Sequence, residues 1–292
     1  MQKVNKSELI NKVNESVSRT LPARIIRGIK NFSRKREYKD LVKNTQVKFT
    51  AVKIFSGDTM NIVVPDNVST SLFLNGCFEA DDTKGLILSL NEGDTFIDIG
   101  AHIGYYSMVA SKLVGDSGKV ISFEPTPSTY GLLQKNLLEK KNVKAENLAV
   151  YSVQTNMEFN DYGLKYMVFN SFQKARLEDI DLVANHINVQ TTTLDNYCRL
   201  NDVKPSFIKI DAESVELHVL QGAVDTIKKY KPKFMIEVGD FEHIEAGSSF
   251  KIISFLTELG YDVFEYTHDS FVKHNIIKGH YPTLNLYFFP KQ

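Results

Sequence analysis

From about residue 95 onward, short β-branched and apolar runs alternate with stretches whose apolar residues recur at helical spacing. Residues 95–99 read as a strand, 105–113 as a helix, 119–123 as a strand, 127–140 as a helix and 143–148 as a strand. The rhythm returns with a strand at 188–193, a short helix at 194–200, a strand at 207–210, a helix at 214–229 and a strand at 233–238. Strands that alternate with helices build a parallel sheet, because parallel neighbours need a crossover long enough to hold a helix. A helix at 249–259 then precedes strands at 261–266 and 284–289. Between those two strands Lys278, Gly279, His280, Tyr281 and Pro282 break any helical period, so the pair is expected to close the sheet antiparallel.

Two stretches depart from this rhythm. Apolar and β-branched runs at 47–55 and 59–64 flank Ser56, Gly57 and Asp58, which predicts a β-hairpin, and 72–79 then leads into a helix at 83–90. Residues 151–186 read as an insertion. It is expected to hold a hairpin of 156–159 with 165–169 around Asp161, Tyr162 and Gly163, followed by a polar, less periodic segment. Ahead of all this, Ile25, Ile26, Ile29 and Phe32 recur at helical spacing after Pro22, predicting a basic amphipathic helix over 22–43. The chain therefore divides into a helical extension (1–45), a hairpin addition (46–80) and one main α/β domain (81–292) carrying the insertion.

Composition changes this picture in a few places. The 292 residues, 42% hydrophobic and 24% charged, suffice for one large core with additions. With 35 basic and 35 acidic side chains there is no whole-molecule field to attract nucleic acid, so none is expected as a partner. The first forty residues are the exception, with eleven basic side chains against four acidic, and would suit a peripheral membrane or partner contact. Cys77 and Cys198 are too few for a disulfide framework or a zinc cluster, and the chain shows no apolar run of ~20 residues, so a cytoplasmic protein is expected. The seven histidines show no paired ligand spacing, and no metal site is expected.

The candidate chemistry starts where the first parallel strand ends. Asp98 lies in that strand, and Gly100 and Gly104 bracket the turn into the next helix. Ligands of doubly wound folds bind at the carboxyl ends of strands, and glycines let a backbone approach one closely. The spacing Asp-x-Gly-x-x-x-Gly differs from the dinucleotide fingerprint, and a carboxylate beside the loop opposes a pyrophosphate while favouring a cationic ligand. By themselves the glycines serve strand-to-helix packing equally well. Glu124, at the end of the second strand, is placed to accept both hydroxyl hydrogens of a ribose.

The motifs Phe96-Ile-Asp-Ile-Gly-Ala-His-Ile-Gly-Tyr-Tyr106, Phe123-Glu-Pro125 and Ile208-Lys-Ile-Asp-Ala-Glu-Ser214, continuing to Ala223, resemble the FkbM family of class I S-adenosylmethionine-dependent methyltransferases. Gly76-Cys-Phe-Glu79, Asn147-Leu-Ala-Val150, Thr193-Leu-Asp195 and Phe234-Met-Ile-Glu-Val238 follow in the family's order, and the resemblance covers roughly 72–290. It implies a Rossmann-like, seven-stranded, mostly parallel sheet of order 3-2-1-4-5-7-6 and O-methylation of a sugar, glycoconjugate precursor or other small hydroxylated metabolite. It also implies a cofactor site of Glu79, Asp98, Gly100, His102, Gly104, Tyr105, Glu124, Pro125, Asn147, Ala149, Val150 and Asp211.

Removing a hydroxyl proton during transfer calls for a general base, and Asp211, Glu213 and Glu237 are the expected catalytic acids, with His243 a further base. Glu216 reads as a helix-face residue. Two residues depart from the family pattern: His102 stands where Asn is usual, and Ser214 where Gly is, which would strain a turn requiring positive φ. Two other classes compete. A dinucleotide-dependent oxidoreductase is opposed by Asp98 and the glycine spacing. A non-catalytic cofactor-binding protein would dock through its basic N-terminal helix.

Overall fold

The computed structural model describes residues 4–17, 34–42, 46–173, 183–240, 248–277 and 279–292. Helix α1 (Lys6–Val17) precedes a second helix, α2, at 34–42. The expected helix over 22–43 thus lies largely outside the described residues, as does His243. Strands β1 (Lys48–Lys53) and β2 (Thr59–Val64) form the anticipated hairpin, and β2 buries Met60, Ile62, Val63 and Val64. Helix α3 (Asn67–Asn75) was not foreseen in the sequence. Asp66 caps it by accepting the Ser69 N–H at 2.9 Å, and Gly76 ends it in the left-handed region.

The α/β body follows with α4 (Ala80–Ser89), β3 (Thr95–Ile99), α5 (Tyr105–Val114), β4 (Lys119–Phe123), α6 (Pro127–Leu137), β5 (Val143–Glu146) and β6 (Ala149–Val150). Next come β7 (Asn156–Asp161), β8 (Asn185–Thr192), α7 (Leu194–Leu200), β9 (Phe207–Ile210), α8 (Glu216–Gln221), α9 (Val224–Tyr230) and β10 (Lys233–Val238). Helix α10 (Ser248–Glu258) and strands β11 (Tyr261–Thr267), β12 (Ser270–Lys273) and β13 (Leu284–Pro290) complete the chain.

Eight strands form the main sheet in the order β12-β11-β13-β10-β9-β3-β4-β5. Strands β5, β4, β3, β9 and β10 run parallel, and β13 inserts antiparallel between β10 and β11. Counted from β3 as the first, seven of these strands run 3-2-1-4-5-7-6; the eighth, β12, adds an antiparallel edge beside β11 that the sequence reading lacked.

Side chains alternate between two apolar layers. Phe96, Val120, Phe207, Met235 and Tyr287 face α1, α4, α5, α6 and the hairpin, while Ile97, Ile121, Ile208, Ile236 and Phe288 face α7 to α10. The N-terminal pieces share this core. Leu9 and Val13 of α1 are buried against α4, and Asn136 of α6 accepts the Asn61 backbone N–H at 2.7 Å. Among the described residues no helix is long and apolar enough to cross a membrane.

Three expectations change. Residues 165–169 are not a strand: Met167–Phe169 forms a single 3₁₀ turn, and β7 pairs antiparallel with β8. The reason is local closure, since Gly163 takes φ 74, Tyr166 N–H bonds to the Gly163 carbonyl, and Asn170 Oδ1 accepts the Tyr162 N–H. The strand expected at 143–148 stops at Glu146, and the chain moves to β6, which joins β8 and β7 in a separate three-stranded sheet. The helix expected at 214–229 is two helices broken at Gly222, where a Cβ would stand 2.3 Å from the Tyr151 carbonyl oxygen.

That contact gives a paired stability test. Gly222→Ala is expected to destabilise by about 1–3 kcal/mol through overpacking against a fixed backbone oxygen. Gly131→Ala, inside α6 with nothing within 4 Å of the added methyl, is expected to stabilise by about 1 kcal/mol. Urea unfolding midpoints should move in opposite directions.

Candidate functional site

A cavity of about 460 Å³ opens at the carboxyl ends of β3, β4, β9 and β10, where a doubly wound sheet receives its ligand. Its floor is the turn after β3. Gly100 takes φ 77, and a Cβ there would lie 1.8 Å from the Asp211 carbonyl oxygen, so glycine alone lets this turn sit against the end of β9. Gly100 and Ala101 donate their N–H groups to the Phe123 carbonyl at 3.1 and 2.9 Å, which ties the turn to β4.

Those bonds bring His102 to Glu124. The His102 backbone N–H donates to Glu124 Oε2 at 3.1 Å and the Thr126 N–H to Oε1 at 2.9 Å, fixing a carboxyl group that lines the cavity. Burial pushes the Glu124 carboxyl up to about 7, against the pull of those donors. His102 itself takes φ 52 and is among the residues that line the cavity. Both ring nitrogens are shielded from solvent without a protein partner, and burial lowers its pKa, favouring neutral imidazole.

The other end of the cavity is acidic. Asp211, Glu213 and Glu237 approach so closely that a carboxylate oxygen from each lies within 4.8 Å of the others. At an effective dielectric of ~20, two unit charges at such a separation repel by about 3 kcal/mol, so full ionisation of all three is opposed. Burial, reinforced by Asp211, Glu213, Glu216 and Glu79, pushes Glu237 up to about 10. Glu79 caps α4 in the left-handed region and accepts the Tyr106 hydroxyl at 2.7 Å; burial raises its pKa too.

Beneath these acids lies Lys209, a residue the sequence reading did not single out. Its ammonium is 3% exposed, 2.9 Å from Asp211 Oδ2, 3.9 Å from Asp98 Oδ1 and 5.0 Å from the centre of the Tyr106 ring. Burial pulls this ammonium down, but Asp211 and Asp98 more than offset it and hold the group above the ordinary lysine value. The available signal was a lysine flanked by isoleucines in a strand otherwise fully apolar.

Of the residues expected to touch cofactor, Glu79, Gly100, His102, Tyr105, Glu124, Pro125, Ala149, Val150 and Asp211 line the cavity, together with Glu213 and Glu237. Three do not. Asp98 is fully buried below the floor, accepting the Ser107 hydroxyl at 2.5 Å and facing Lys209. Gly104 packs on α6, where a Cβ would meet Leu133 at 2.7 Å. Asn147 donates to the carbonyls of Glu124 and Pro125, both at 2.9 Å, and so braces the turn that carries Glu124.

Glu216 is likewise no mere helix-face residue: its Oε1 accepts the N–H groups of Ala212 and Ser214, both at 3.1 Å, holding the turn after β9. Ser214 does stand at positive φ, 77°, with its hydroxyl oxygen buried. A further wall, of Phe159, Met167, Phe169, Asn170 and Phe172, comes from the 151–186 insertion, whose fold departs from the expected hairpin.

A doubly wound sheet with a buried carboxylate at the end of its second strand and a glycine turn at the end of its first defines a nucleoside-binding α/β protein. Residues 98–263 match the model of the methyltransferase FkbM domain, more than half of the chain, and the protein belongs to that family. It is 40% identical over 52 residues to a protein-L-isoaspartate O-methyltransferase of Methanococcus maripaludis, covering 18% of this chain and 24% of that protein. It is 24% identical over 160 residues to the hexuronic acid methyltransferase AglP of Haloferax volcanii, covering 51% and 58%. The chain thus spans less than two thirds of either relative. Among solved structures, an FkbM methyltransferase from Methylobacillus flagellatus aligns with 16% identity and a TM-score of 0.42, over 77% of this chain and 55% of that one.

S-adenosylmethionine is the cofactor this membership implies, and the cavity suits it: Glu124 faces in from one side and the acids complement a cation.

The raised carboxyls set a pH dependence for the apoprotein. Glu124, Glu237 and Asp82, the last pushed up to about 7 by burial and by Glu79, hold protons in the folded state that the unfolded chain releases near its ordinary values. The native state therefore binds more protons above about pH 4.5, and stability falls as pH rises through that range. The melting temperature is expected to be higher at about pH 5.5 than at about pH 8.5, and Glu237→Gln should flatten the difference. A melting temperature that rose over the same interval would contradict this.

Proposed function

We propose that this protein is an O-methyltransferase that uses S-adenosylmethionine and acts on a hydroxyl of a sugar, glycoconjugate precursor or other small hydroxylated metabolite. The observation that carries the reading is the convergence of Asp211, Glu213 and Glu237 at one end of a cavity whose other end presents Glu124. When bound, the cofactor supplies an electrophilic methyl group on a sulfonium.

The chain's own residues would divide the work. Glu124, fixed by two backbone N–H groups, keeps lone pairs for the ribose hydroxyls. Ala149 and Val150, with Phe159 and Phe172, give the adenine an apolar slot. Asp211, held by Lys209, stands by the amino-acid end of the cofactor. Glu237 or Glu213 takes the acceptor proton, because a neutral alcohol is a poor nucleophile unless that proton leaves during transfer. Alignment of acceptor oxygen, methyl carbon and sulfur supplies much of the remaining acceleration.

The acidic end also bears on the acceptor. A carboxylate brought there would meet three acids, whereas a hydroxyl finds acceptors for its hydrogen. That favours alcohol over carboxylate acceptors; the two relatives, whose named substrates both carry carboxyl groups, support sugar-type and O-methyl chemistry without bearing on that choice. The dinucleotide alternative would set a pyrophosphate near the same negative charge.

S-adenosylhomocysteine is expected to raise the melting temperature and NAD to leave it unchanged; a ligand at a hundred times its dissociation constant adds about 2.7 kcal/mol. The opposite pattern would overturn the reading. Glu124→Ala should abolish most of that shift. In turnover with a panel of neutral sugars, Glu237→Gln should lower kcat by about 10²–10⁴-fold if Glu237 is the base; an unchanged kcat would assign that role elsewhere.

A further inference from the structure

The acids at the reacting end do more than attract a cation; their spacing makes them a proton store. Asp211, Glu213 and Glu237 bring their oxygens within 4.8 Å of one another, and groups this close share protons and titrate together. The charges around Glu237, from every described element packed about it, are mostly of one sign. Strand β9 and the turn after it contribute Lys209, Asp211 and Glu213, α8 contributes Glu216, and the start of α4 contributes Glu79 and Asp82. Tyr106 on α5 hydrogen-bonds Glu79 without adding charge, the His102 imidazole is held neutral by burial, and Asn285, opposite Glu237 on β13, is uncharged. The ammonium of Lys209 is already engaged by Asp211 and Asp98.

We infer that Glu237 carries a proton in the cofactor-free site and releases it when a sulfonium-bearing nucleoside binds, so that the base is created by the methyl donor and not by the demethylated product. This rests on the cofactor reading above. The donor carries one more positive charge than the product, and that charge lies on the sulfur beside the acceptor position. Placed among three close carboxylates, it replaces the proton as the counter-charge. In turnover the acceptor oxygen forms its bond to the methyl carbon, the electron pair of the breaking carbon–sulfur bond stays on sulfur, and the hydroxyl proton passes to the Glu237 carboxylate. Loss of the sulfonium charge then favours Glu237 in its protonated form, so the proton is retained until product leaves and the site returns to its starting charge. A coupling of this kind withholds the base from any acceptor that enters without the donor.

The test is calorimetric and needs no turnover. Titrations of the full chain with S-adenosylmethionine and with S-adenosylhomocysteine, each in two buffers of different ionisation heat, give the protons exchanged on binding. The donor is expected to release up to about one proton more than the product, and Glu237→Gln to abolish the difference. Should that variant fail to fold or to bind, the wild-type protein still decides. Its preference for donor over product should grow with pH between about 6 and 7.5, by up to about tenfold per unit, since donor binding must expel a proton and product binding need not. Equal proton counts, a flat preference, or a difference that survives in Glu237→Gln would each overturn the inference while leaving the cofactor reading intact. If neither nucleoside binds, both fall.

Discussion

The ion triad of Asp98, Lys209 and Asp211 is the interaction on which the rest of the site depends. Asp98 and Lys209 are register partners on adjacent parallel strands, β3 and β9, and both are almost wholly out of solvent. Removing one charge of such a set leaves the others buried without compensation, which is far more costly than replacing the set by apolar residues. The triad therefore acts as a specification. It joins the first strand to the fourth at the level where the cavity begins, and it turns the Asp211 carboxylate toward Lys209 while Asp211 still lines the opening. Ser107, which donates to Asp98, and Tyr106, whose ring lies beside the ammonium, extend the lock into α5.

Around that lock the chemistry is distributed by strand parity. On the face toward α5, the apolar positions Phe96, Phe207 and Met235 are followed two residues later by Asp98, Lys209 and Glu237. One face of three neighbouring strands thus changes from hydrocarbon to ionisable groups as it reaches the carboxyl edge, while the opposite face stays apolar through Ile99, Ile210 and Val238. The same pleat that fills the core delivers the charged groups to the cavity in a row. Positive φ recurs in the turns that complete it: Glu79, His102 and Glu213 take it and line the opening, and Ser214 takes it next to Glu213.

Much of this was legible in the chain. Periodicities of two and 3.6 marked the parallel strands and their helices, and Asp98, the glycine turn, Glu124 and the acids at the ends of the fourth and fifth strands were all identifiable by type and position. The tilt toward a cationic ligand came from one carboxylate beside a glycine turn. The roles of Asn147 and Glu216 were not legible, because both act on backbone atoms that only the folded turns bring into reach. Lys209 was overlooked since a lysine between isoleucines carries no signal of its partner on another strand.

The sequence by itself determined most of the parallel strands and the helices between them, and which face of each is apolar, because those properties follow from side-chain order along one element. It also determined the family, through motifs carried in order along the chain. Tertiary structure alone decided what depends on distance between segments remote in the chain. It placed β7 beside β8 instead of in a local hairpin, and it broke the helix after β9 where Gly222 meets Tyr151. It set Asp98 below the cavity and brought Asp211, Glu213 and Glu237 within reach of one another. Burial and mutual repulsion fix where a proton resides, and neither exists until the strands are side by side.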